Sequence, residues 1–302
     1  MCIDYLYHSR KTYTQDIKST LLNCNDKIIP SKKGNQLTNP FVNSQFLIRA
    51  KSAMISGNPL RRLIDYISGF ILFSVSQNIR RSIFTGKFYY CPICETHLRT
   101  FLRLYRPYHA WCPVCRSLQR HRLAWIFLNS EHIQIDQNEL RMLHFAPEPG
   151  IATRLEAIPS LEYISADLYD KKASIKMDVC DIRFPDESFD LIYCSHVLEH
   201  VPDDSLAMRE FHRVLKIHGK IILQVPIAGE ETFEDLSVAN PLEREKLFGQ
   251  IDHVRIYGKD IIQRLTNAGF CVKEFVTEDL VPSEDIERMG LISGEIIFLC
   301  EK

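Results

Sequence analysis

From about residue 140 to the C-terminal end, short apolar runs alternate with segments of helical periodicity. The runs include RMLHFA, LEYISADL, FDLIYCS and KIILQVPI, and the helical segments include DSLAMREFHRVLKIHG and DIIQRLTNAGF. Strands separated by helices pair in parallel, because each crossover helix returns the chain to the same end of the sheet. This pattern predicts an α/β fold with a mostly parallel sheet that helices cover on both faces.

A doubled cysteine motif precedes this region. CPIC at 91–94 and CPVC at 112–115 are separated by 17 residues. Two such knuckles bring four thiolates into a tetrahedron, which suits Zn²⁺, and a redox dithiol is the alternative reading. Because cysteine fills all four positions, the predicted zinc is structural and not catalytic. The predicted ligands are Cys91, Cys94, Cys112 and Cys115.

Charge is distributed unevenly along the chain, although the formal net charge is −1. Residues 1–79 contain ten Lys/Arg and four Asp/Glu, and residues 80–125 contain nine Lys/Arg and the single acidic residue Glu95. The remainder is strongly acidic. This asymmetry predicts an anionic partner for the basic half, such as RNA, a phosphorylated substrate or a membrane surface. Docking of the basic module on the acidic one is the alternative.

These patterns divide the chain into four predicted parts. Residues 1–60 are predicted to form a mobile basic extension, 61–85 an amphipathic helix, 86–130 the four-cysteine zinc module and 131–302 the α/β domain. The helix is expected to pack on the module, with peripheral attachment to a membrane as the alternative. The six cysteines outside the motif are scattered and the N-terminus resembles no signal peptide, so a reducing, cytoplasmic location is expected.

Carboxylates stand at the ends of two predicted strands of the sheet. Asp167 ends EYISAD, about 20 residues after the first strand, and Asp178 ends the third strand. Ligands of parallel α/β sheets bind at the carboxyl ends of the strands, where an acidic residue can accept both ribose hydroxyls of an adenosine ligand. Asp178 is placed to accept the exocyclic amine of an adenine. Capping of the following segment is the alternative role for both residues.

The segments DVCDIRFPDESFDLIYCSHVLEHVPDD and REFHRVLKIHGKIILQVPI resemble class I S-adenosylmethionine-dependent methyltransferases, in particular the methyltransferase type 11 group. The likeness extends over about residues 140–302 and is specific over 178–227. It implies a Rossmann-like sheet of about seven strands and S-adenosylmethionine as the cofactor. With the four-cysteine module in front, the chain resembles zinc-ribbon methyltransferases.

On this resemblance, the strand-to-helix loop in MLHFAPEPG takes the place of the family's glycine-rich motif, but only Gly150 matches it. His144 stands at the usual acidic position, and Ala146 and Glu148 stand where the family has glycine. Because the cofactor carries an ammonium and no pyrophosphate, proline carbonyls and the Glu148 carboxylate can serve it where amides would serve a phosphate. The full predicted cofactor set is His144, Ala146, Glu148, Gly150, Asp167, Leu168, Asp178, Val179 and Ser195.

The resemblance implies transfer of a methyl group to an acceptor that the sequence does not identify. A small molecule or a sugar is expected, and the alternatives are an RNA of the ribosomal type or a degenerate, non-catalytic binding scaffold. The acceptor is expected between SHVLEH and the DHVRIYG segment at 252–258, with the acidic insert 228–250 as a lid. The sequence does not indicate an oligomeric state.

Three histidines are candidates for catalysis at the acceptor. His196, Glu199 and His200 are spaced so that one helical turn would place them on one face. A similar pattern holds a divalent metal in some relatives of the family, but a role in lining the pocket is preferred here. His253, from DHVR, is the expected base because imidazole titrates near neutral pH.

Overall fold

The computed structural model describes residue 69 and residues 71–103, 110–137 and 139–302. The predicted extension over residues 1–60 and the first part of the predicted 61–85 helix lie outside the described residues. The helices are α1 (Gln77–Phe84), α2 (Gln119–Leu128), α3 (Pro149–Leu155), α4 (Asp204–Val214), α5 (Pro241–Phe248), α6 (Ile261–Asn267), α7 (Thr277–Leu280) and α8 (Ser283–Arg288). A single turn of 3-10 helix spans Leu198–His200.

Seven of the eleven strands in the described residues form one sheet, in the order β10-β11-β7-β6-β3-β4-β5. All neighbours are parallel except those of β11, which runs antiparallel to both β7 and β10. The predicted mostly parallel sheet of about seven strands is therefore confirmed. The strands are β1 (Thr85–Cys91), β2 (Thr96–Leu98), β3 (Leu140–Phe145), β4 (Leu161–Asp167), β5 (Ile175–Lys176), β6 (Phe189–Ser195), β7 (Leu215–Gln224), β8 (Phe233–Glu234), β9 (Arg255–Ile256), β10 (Cys271–Val276) and β11 (Ile296–Glu301).

Side chains of the central strands alternate between two separate cores, as a period of two residues requires. On β3, Met142 contributes to one core and Leu143 to the other. Helix α4 covers the second core with Met208 and Phe211. The first core is covered by α2, through Leu123 and other apolar residues, together with the cysteine module.

The cysteine module thus packs on one face of the sheet within the same compact unit. Its cysteines Cys91 and Cys112 are buried in the same core as Tyr193 of β6. The predicted division at residues 130 and 131 stays a prediction. The CPIC motif lies in the turn of the short hairpin of β1 and β2, and α2 begins shortly after the CPVC motif.

Helix α1 lies against the cysteine module. Residues 71–74 are helical, the helix is interrupted at Val75 and Ser76, and α1 follows. Arg80 is buried and donates hydrogen bonds to the carbonyl oxygens of Pro113 and Val114, both at 2.8 Å. This contact agrees with the expectation that the helix packs on the module. No helix in the described part of the chain has the length and apolar character needed to cross a bilayer.

One buried carboxyl makes the stability of the fold depend on pH. Burial raises the pKa of Glu295, just before β11, to about 7, although Arg120 and Arg122 oppose the shift. Between pH 4.5 and 7 the folded chain therefore holds a proton that the unfolded chain has lost. The contribution of Glu295 to the free energy of unfolding is therefore fully present below about pH 4.5, and it is lost as pH rises through 7.

Glu295→Gln is expected to remove this dependence, which is on the order of 2 kcal/mol for a partly exposed side chain with such a shift. Urea unfolding from pH 5 to pH 8 should show a shallower loss of stability in this variant than in the wild type. Glu284→Gln, at an exposed position, is the matched control and should follow the wild type. Equal slopes in all three proteins would contradict the assignment.

Candidate functional site

The loop after β3 makes its turn without glycine. Ala146 has a φ of 51°, the left-handed conformation that glycine adopts most easily. Its N–H donates to the carbonyl oxygen of Ala166 on β4 at 2.9 Å. Glu148 is the N-cap of α3, and Pro149 occupies the first turn, where a missing N–H costs nothing. The turn at the carboxyl edge of the sheet is thus formed with Ala146 in the left-handed conformation and Pro149 at the start of α3.

The Glu148 carboxylate is the centre of a buried polar network. Oε2 lies 2.9 Å from Nε2 of His144, and Oε1 accepts a hydrogen bond from the Tyr193 hydroxyl at 3.3 Å. Nε2 of His121, from α2, lies 3.7 Å away. Burial alone would raise the pKa of Glu148, but His121, His144 and Arg120 outweigh it and hold that pKa at about 2. The carboxylate is therefore ionised throughout the physiological range.

Further polar groups continue this network beneath the strand ends. Nδ1 of His144 lies 2.9 Å from the Tyr163 hydroxyl. On the other side, Gln224 Oε1 accepts from Tyr193 at 3.4 Å and from Ser195 at 3.2 Å. His144 is fully buried, and Ser195 is 5% exposed. His144, Glu148 and Ser195 all hydrogen-bond within this network. Their contact with the cofactor stays a prediction.

The predicted cofactor carboxylates lie at the same edge, on neighbouring strand ends. Oδ1 of Asp167 accepts from the N–H groups of Tyr169 and Asp170 at 2.6 and 2.7 Å. Oδ1 of Asp178 accepts from Cys180 N–H at 2.9 Å. In both aspartates, Oδ1 thus accepts hydrogen bonds from the backbone of the loop that follows. Beside them, Leu168 is partly exposed, Val179 is buried, and Gly150 lies in the first turn of α3.

The four cysteines of the doubled motif converge. Sγ of Cys91 lies 3.6 Å from Sγ of Cys115, and Sγ of Cys94 lies 3.7 Å from Sγ of Cys112. All four sulfur atoms lie within 4.8 Å of one another. A tetrahedral zinc with Zn–S bonds of about 2.3 Å places its sulfurs about 3.8 Å apart, so the arrangement fits this ion.

A second cluster of potential ligands joins the two segments predicted to flank the acceptor. Glu199, His200 and His253 each offer one ligand atom, and these atoms lie within 4.8 Å of one another. The Val254 N–H donates to the Glu199 carbonyl oxygen at 2.9 Å, which ties the segments together. His196 has a φ of 55°, and its Nδ1 lies 3.0 Å from Oε1 of Glu199. The structure therefore brings all three candidate catalytic histidines around one glutamate.

The ionisation of this cluster follows from its burial. Burial would raise the pKa of Glu199, but the hydrogen bond from His196 and the nearby imidazoles lower that pKa below its ordinary value. Burial lowers the pKa of His253 to about 4. His200 is the more accessible imidazole, with 31% of its side chain exposed.

Sequence reasoning missed the residues that hold this cluster in place. Arg255 is almost fully buried and donates to the carbonyl oxygens of Leu198 at 2.7 Å and Pro202 at 3.0 Å. It also pairs with Glu234 at 3.0 Å. The sequence signal was present, because an arginine inside the apolar run of DHVRIYG needs buried partners. Tyr193 and Gln224, polar residues within the apolar runs of β6 and β7, gave a similar signal.

Comparison with known proteins agrees with this arrangement. Residues 144–223 match the family model described as a methyltransferase domain. Arsenite methyltransferase of Mus musculus is 31% identical over 106 residues, 35% of this chain and 27% of that protein. The Rattus norvegicus arsenite methyltransferase is 30% identical over 105 residues, 34% of this chain and 27% of that protein. The matched part thus spans about a quarter of the length of these curated relatives.

Among solved structures, a SAM-dependent methyltransferase from Archaeoglobus fulgidus is 14% identical, with a TM-score of 0.43. That match covers 62% of this chain and 96% of the other. The family match starts in β3 and ends in β7, within the sheet of six parallel strands and antiparallel β11. Residues 144–223 are therefore similar to a methyltransferase domain, and they lie in an α/β fold with a mostly parallel sheet of seven strands.

Proposed function

We propose that the chain transfers a methyl group from S-adenosylmethionine to an acceptor bound beside Glu199, His200 and His253, with His196 next to them, which together are called the Glu199 cluster. The observation that carries this proposal is the shared edge of the sheet. There, the Ala146 turn, Asp167 and Asp178 end three neighbouring strands inside the matched methyltransferase domain. The cofactor supplies the methyl group on a sulfonium, and the chain supplies the binding and the orientation.

Each group at the edge has a proposed task. Asp167 accepts the ribose hydroxyls and Asp178 the adenine amine, while Leu168 and Val179 flank the ring. The carbonyl groups of the Ala146 turn face the ammonium of the cofactor. The Glu148 backbone carbonyl accepts the first hydrogen bonds of α3, from Ile151 and Ala152, at the point where this turn ends. Orientation of this kind accounts for much of the acceleration available to a methyl transfer.

The acceptor is proposed to lie between the Glu199 cluster and the insert of residues 228–250. This insert contains β8 and α5, and β8 pairs with β9 next to His253. Glu234 of β8 accepts hydrogen bonds from both Arg255 of β9 and Arg264 of α6, so the insert is anchored to these two elements. We propose that the insert covers the acceptor and excludes water.

Removal of a proton is needed only if the acceptor is an O–H or N–H group. His253 was the expected base, but its Nδ1 lies 3.2 Å from the carbonyl oxygen of Phe248 and its Nε2 is buried. His200 is better placed to face an acceptor, since its side chain is 31% exposed. We therefore propose that His200 orients the acceptor and that His196 holds Glu199 behind it.

A small molecule or a sugar remains the proposed acceptor, and RNA is the second candidate. One observation favours an anionic partner. A cleft of about 330 Å³ between α1, the cysteine knuckles and α3 is lined by four arginines, Arg80, Arg81, Arg116 and Arg154. Phosphate groups match such a lining. Binding of RNA that weakens steeply with added salt would support the second candidate over the first.

We also propose a structural Zn²⁺ on the four cysteines and a cytoplasmic, reducing location for the chain. The sulfur separations of 3.6 and 3.7 Å support the zinc. Among the described cysteines none forms a disulfide, which is consistent with the location.

Asp167→Ala is expected to weaken S-adenosylmethionine binding more than tenfold. The reason is the loss of a charged acceptor for two hydroxyls, which contributes roughly 1.5–3 kcal/mol. Isothermal titration calorimetry with the cofactor measures the effect. Asp181→Ala is the matched control, because that carboxylate pairs with Arg183 at the surface. Equal affinity in a folded Asp167→Ala variant would show that the ribose lies elsewhere.

The same titration separates an enzyme from a scaffold, because a degenerate domain would bind the cofactor weakly or not at all. Transfer of the labelled methyl group into a lysate fractionated into RNA, protein, glycan and small molecules then identifies the acceptor class. Label in one fraction supports methyl transfer. If the cofactor binds and no fraction is labelled, the scaffold is favoured.

A further inference from the structure

Two buried atoms of the Glu199 cluster lack a partner. Oε2 of Glu199 and Nε2 of His253 have no hydrogen-bond partner among the residues that the structure describes. The Glu199 side chain is fully buried and His253 is 3% exposed. A buried carboxylate oxygen without a partner is costly, so each such atom in a folded protein calls for an explanation.

The hydrogen bonds on the far side of each imidazole determine which nitrogen carries a proton. Nδ1 of His253 lies 3.2 Å from the Phe248 carbonyl oxygen, and Nδ1 of His200 lies 3.3 Å from the Asp252 carbonyl oxygen. A carbonyl oxygen only accepts, so Nδ1 must donate in both rings. The neutral rings then present the lone pair of Nε2. One nitrogen of each ring and one carboxylate oxygen of Glu199 lie within 4.8 Å of one another, and in each ring Nε2 is the nitrogen that can accept.

A cation satisfies all of these atoms at once. From these contacts we infer that Glu199, His200 and His253 bind a divalent transition-metal ion. Histidine ligands of metals usually donate their second N–H to a carbonyl or carboxylate, and both rings already do so. His196 performs the same orienting task for Glu199, because its Nδ1 holds Oε1 at 3.0 Å and leaves Oε2 for the ion.

Ligand type and spacing indicate the class of ion. Two imidazoles and one carboxylate suit Zn²⁺, Fe²⁺, Co²⁺ or Mn²⁺, whereas Mg²⁺ prefers oxygen ligands. Three ligands about 2.1 Å from one ion lie roughly 3–4 Å apart. The observed spacing, within 4.8 Å, requires only a small side-chain movement to reach this distance. Three protein ligands leave open positions, so the ion would polarise an acceptor oxygen or nitrogen directly. This binding site does not depend on the proposed methyl transfer.

Binding of Mn²⁺ tests the inference on the full chain with zinc retained in the cysteine site. Mn²⁺ avoids thiolate sites, so electron paramagnetic resonance of free Mn²⁺ reports on the histidine cluster. Co²⁺, which binds such ligands more tightly, is the second probe, and ions taken up by the cysteines are recognised by thiolate-to-cobalt absorption. One ion per chain is expected in addition to the zinc.

Glu199→Gln keeps the shape of the side chain and removes its charge, and His200→Ala changes a partly exposed position. Both variants are expected to weaken binding of the second ion at least tenfold. His218→Ala, an exposed histidine beside Glu301, is the matched control and should bind like the wild type. The inference is overturned if the wild type binds neither Mn²⁺ nor Co²⁺ outside the cysteine site, or if both variants bind as tightly as the wild type.

Discussion

Cys112→Ser is expected to release the metal from the four-cysteine site and to unfold the cysteine module. Cys112 is fully buried, and its thiol lies at the centre of the core that the module shares with the sheet. Structural zinc contributes on the order of 10 kcal/mol to the folding of small modules, and the loss of one thiolate removes most of this stabilisation. Metal analysis should fall from about one zinc per chain to none, and thermal unfolding should start far below the wild-type midpoint.

Cys271→Ser is the matched control, because Cys271 is an exposed cysteine at the far edge of the sheet. It should retain both the metal and the midpoint. Wild-type protein purified without chelator that contained no metal would refute the zinc assignment, and so would a Cys112→Ser variant that retained its zinc.

Arg122→Met is expected to destabilise the fold by roughly 3–5 kcal/mol, because each buried carbonyl oxygen left without a donor costs about 1–3 kcal/mol. Arg122 is fully buried on α2. Its guanidinium donates to the carbonyl oxygens of Met289, Ser117, Ala110 and Gly290 and lies 4.1 Å from the centre of the Phe101 ring. Methionine fills a similar volume but leaves these carbonyl oxygens without a donor.

Chemical denaturation of zinc-loaded protein measures this loss. Arg183→Met is the control, since Arg183 forms an exposed ion pair with Asp181 that contributes at most about 1 kcal/mol. Equal losses in the two variants would show that the buried network does not join the module to the C-terminal segment.

The sheet was predictable because its signal is local. Periodicity within each segment identified the strands, and parallel pairing then placed Asp167 and Asp178 at one edge. The four cysteines were predictable for a similar reason, since two short motifs at a suitable spacing specify one geometry. The strands and the cysteine site could both be predicted because each depends on a short sequence pattern and not on contacts with distant residues.

The partners of Glu148 and Glu199 were not predictable in the same way. Glu148 was expected to face a ligand, yet both of its oxygens bond to side chains from β3 and β6, with His121 of α2 nearby. His253 lies more than 50 residues after Glu199, and only the packing of β9 beside the 3-10 turn brings them together. Contacts between residues so far apart in sequence require the tertiary fold.

The bonds of Arg122 also bear on the order in which the chain folds during synthesis. Its partners Met289 and Gly290 lie 167 and 168 residues further along, just before the last strand. The cysteine module therefore emerges from the ribosome long before the carbonyl groups that neutralise its buried guanidinium. Domains generally fold as they are synthesised, but here the cysteine module gains two of its Arg122 contacts only after residues 289 and 290 have been added. A nascent chain that stops before residue 289 leaves Arg122 with only Ser117 and Ala110 as carbonyl acceptors, and such truncated chains are expected to depend on chaperones and to be degraded quickly.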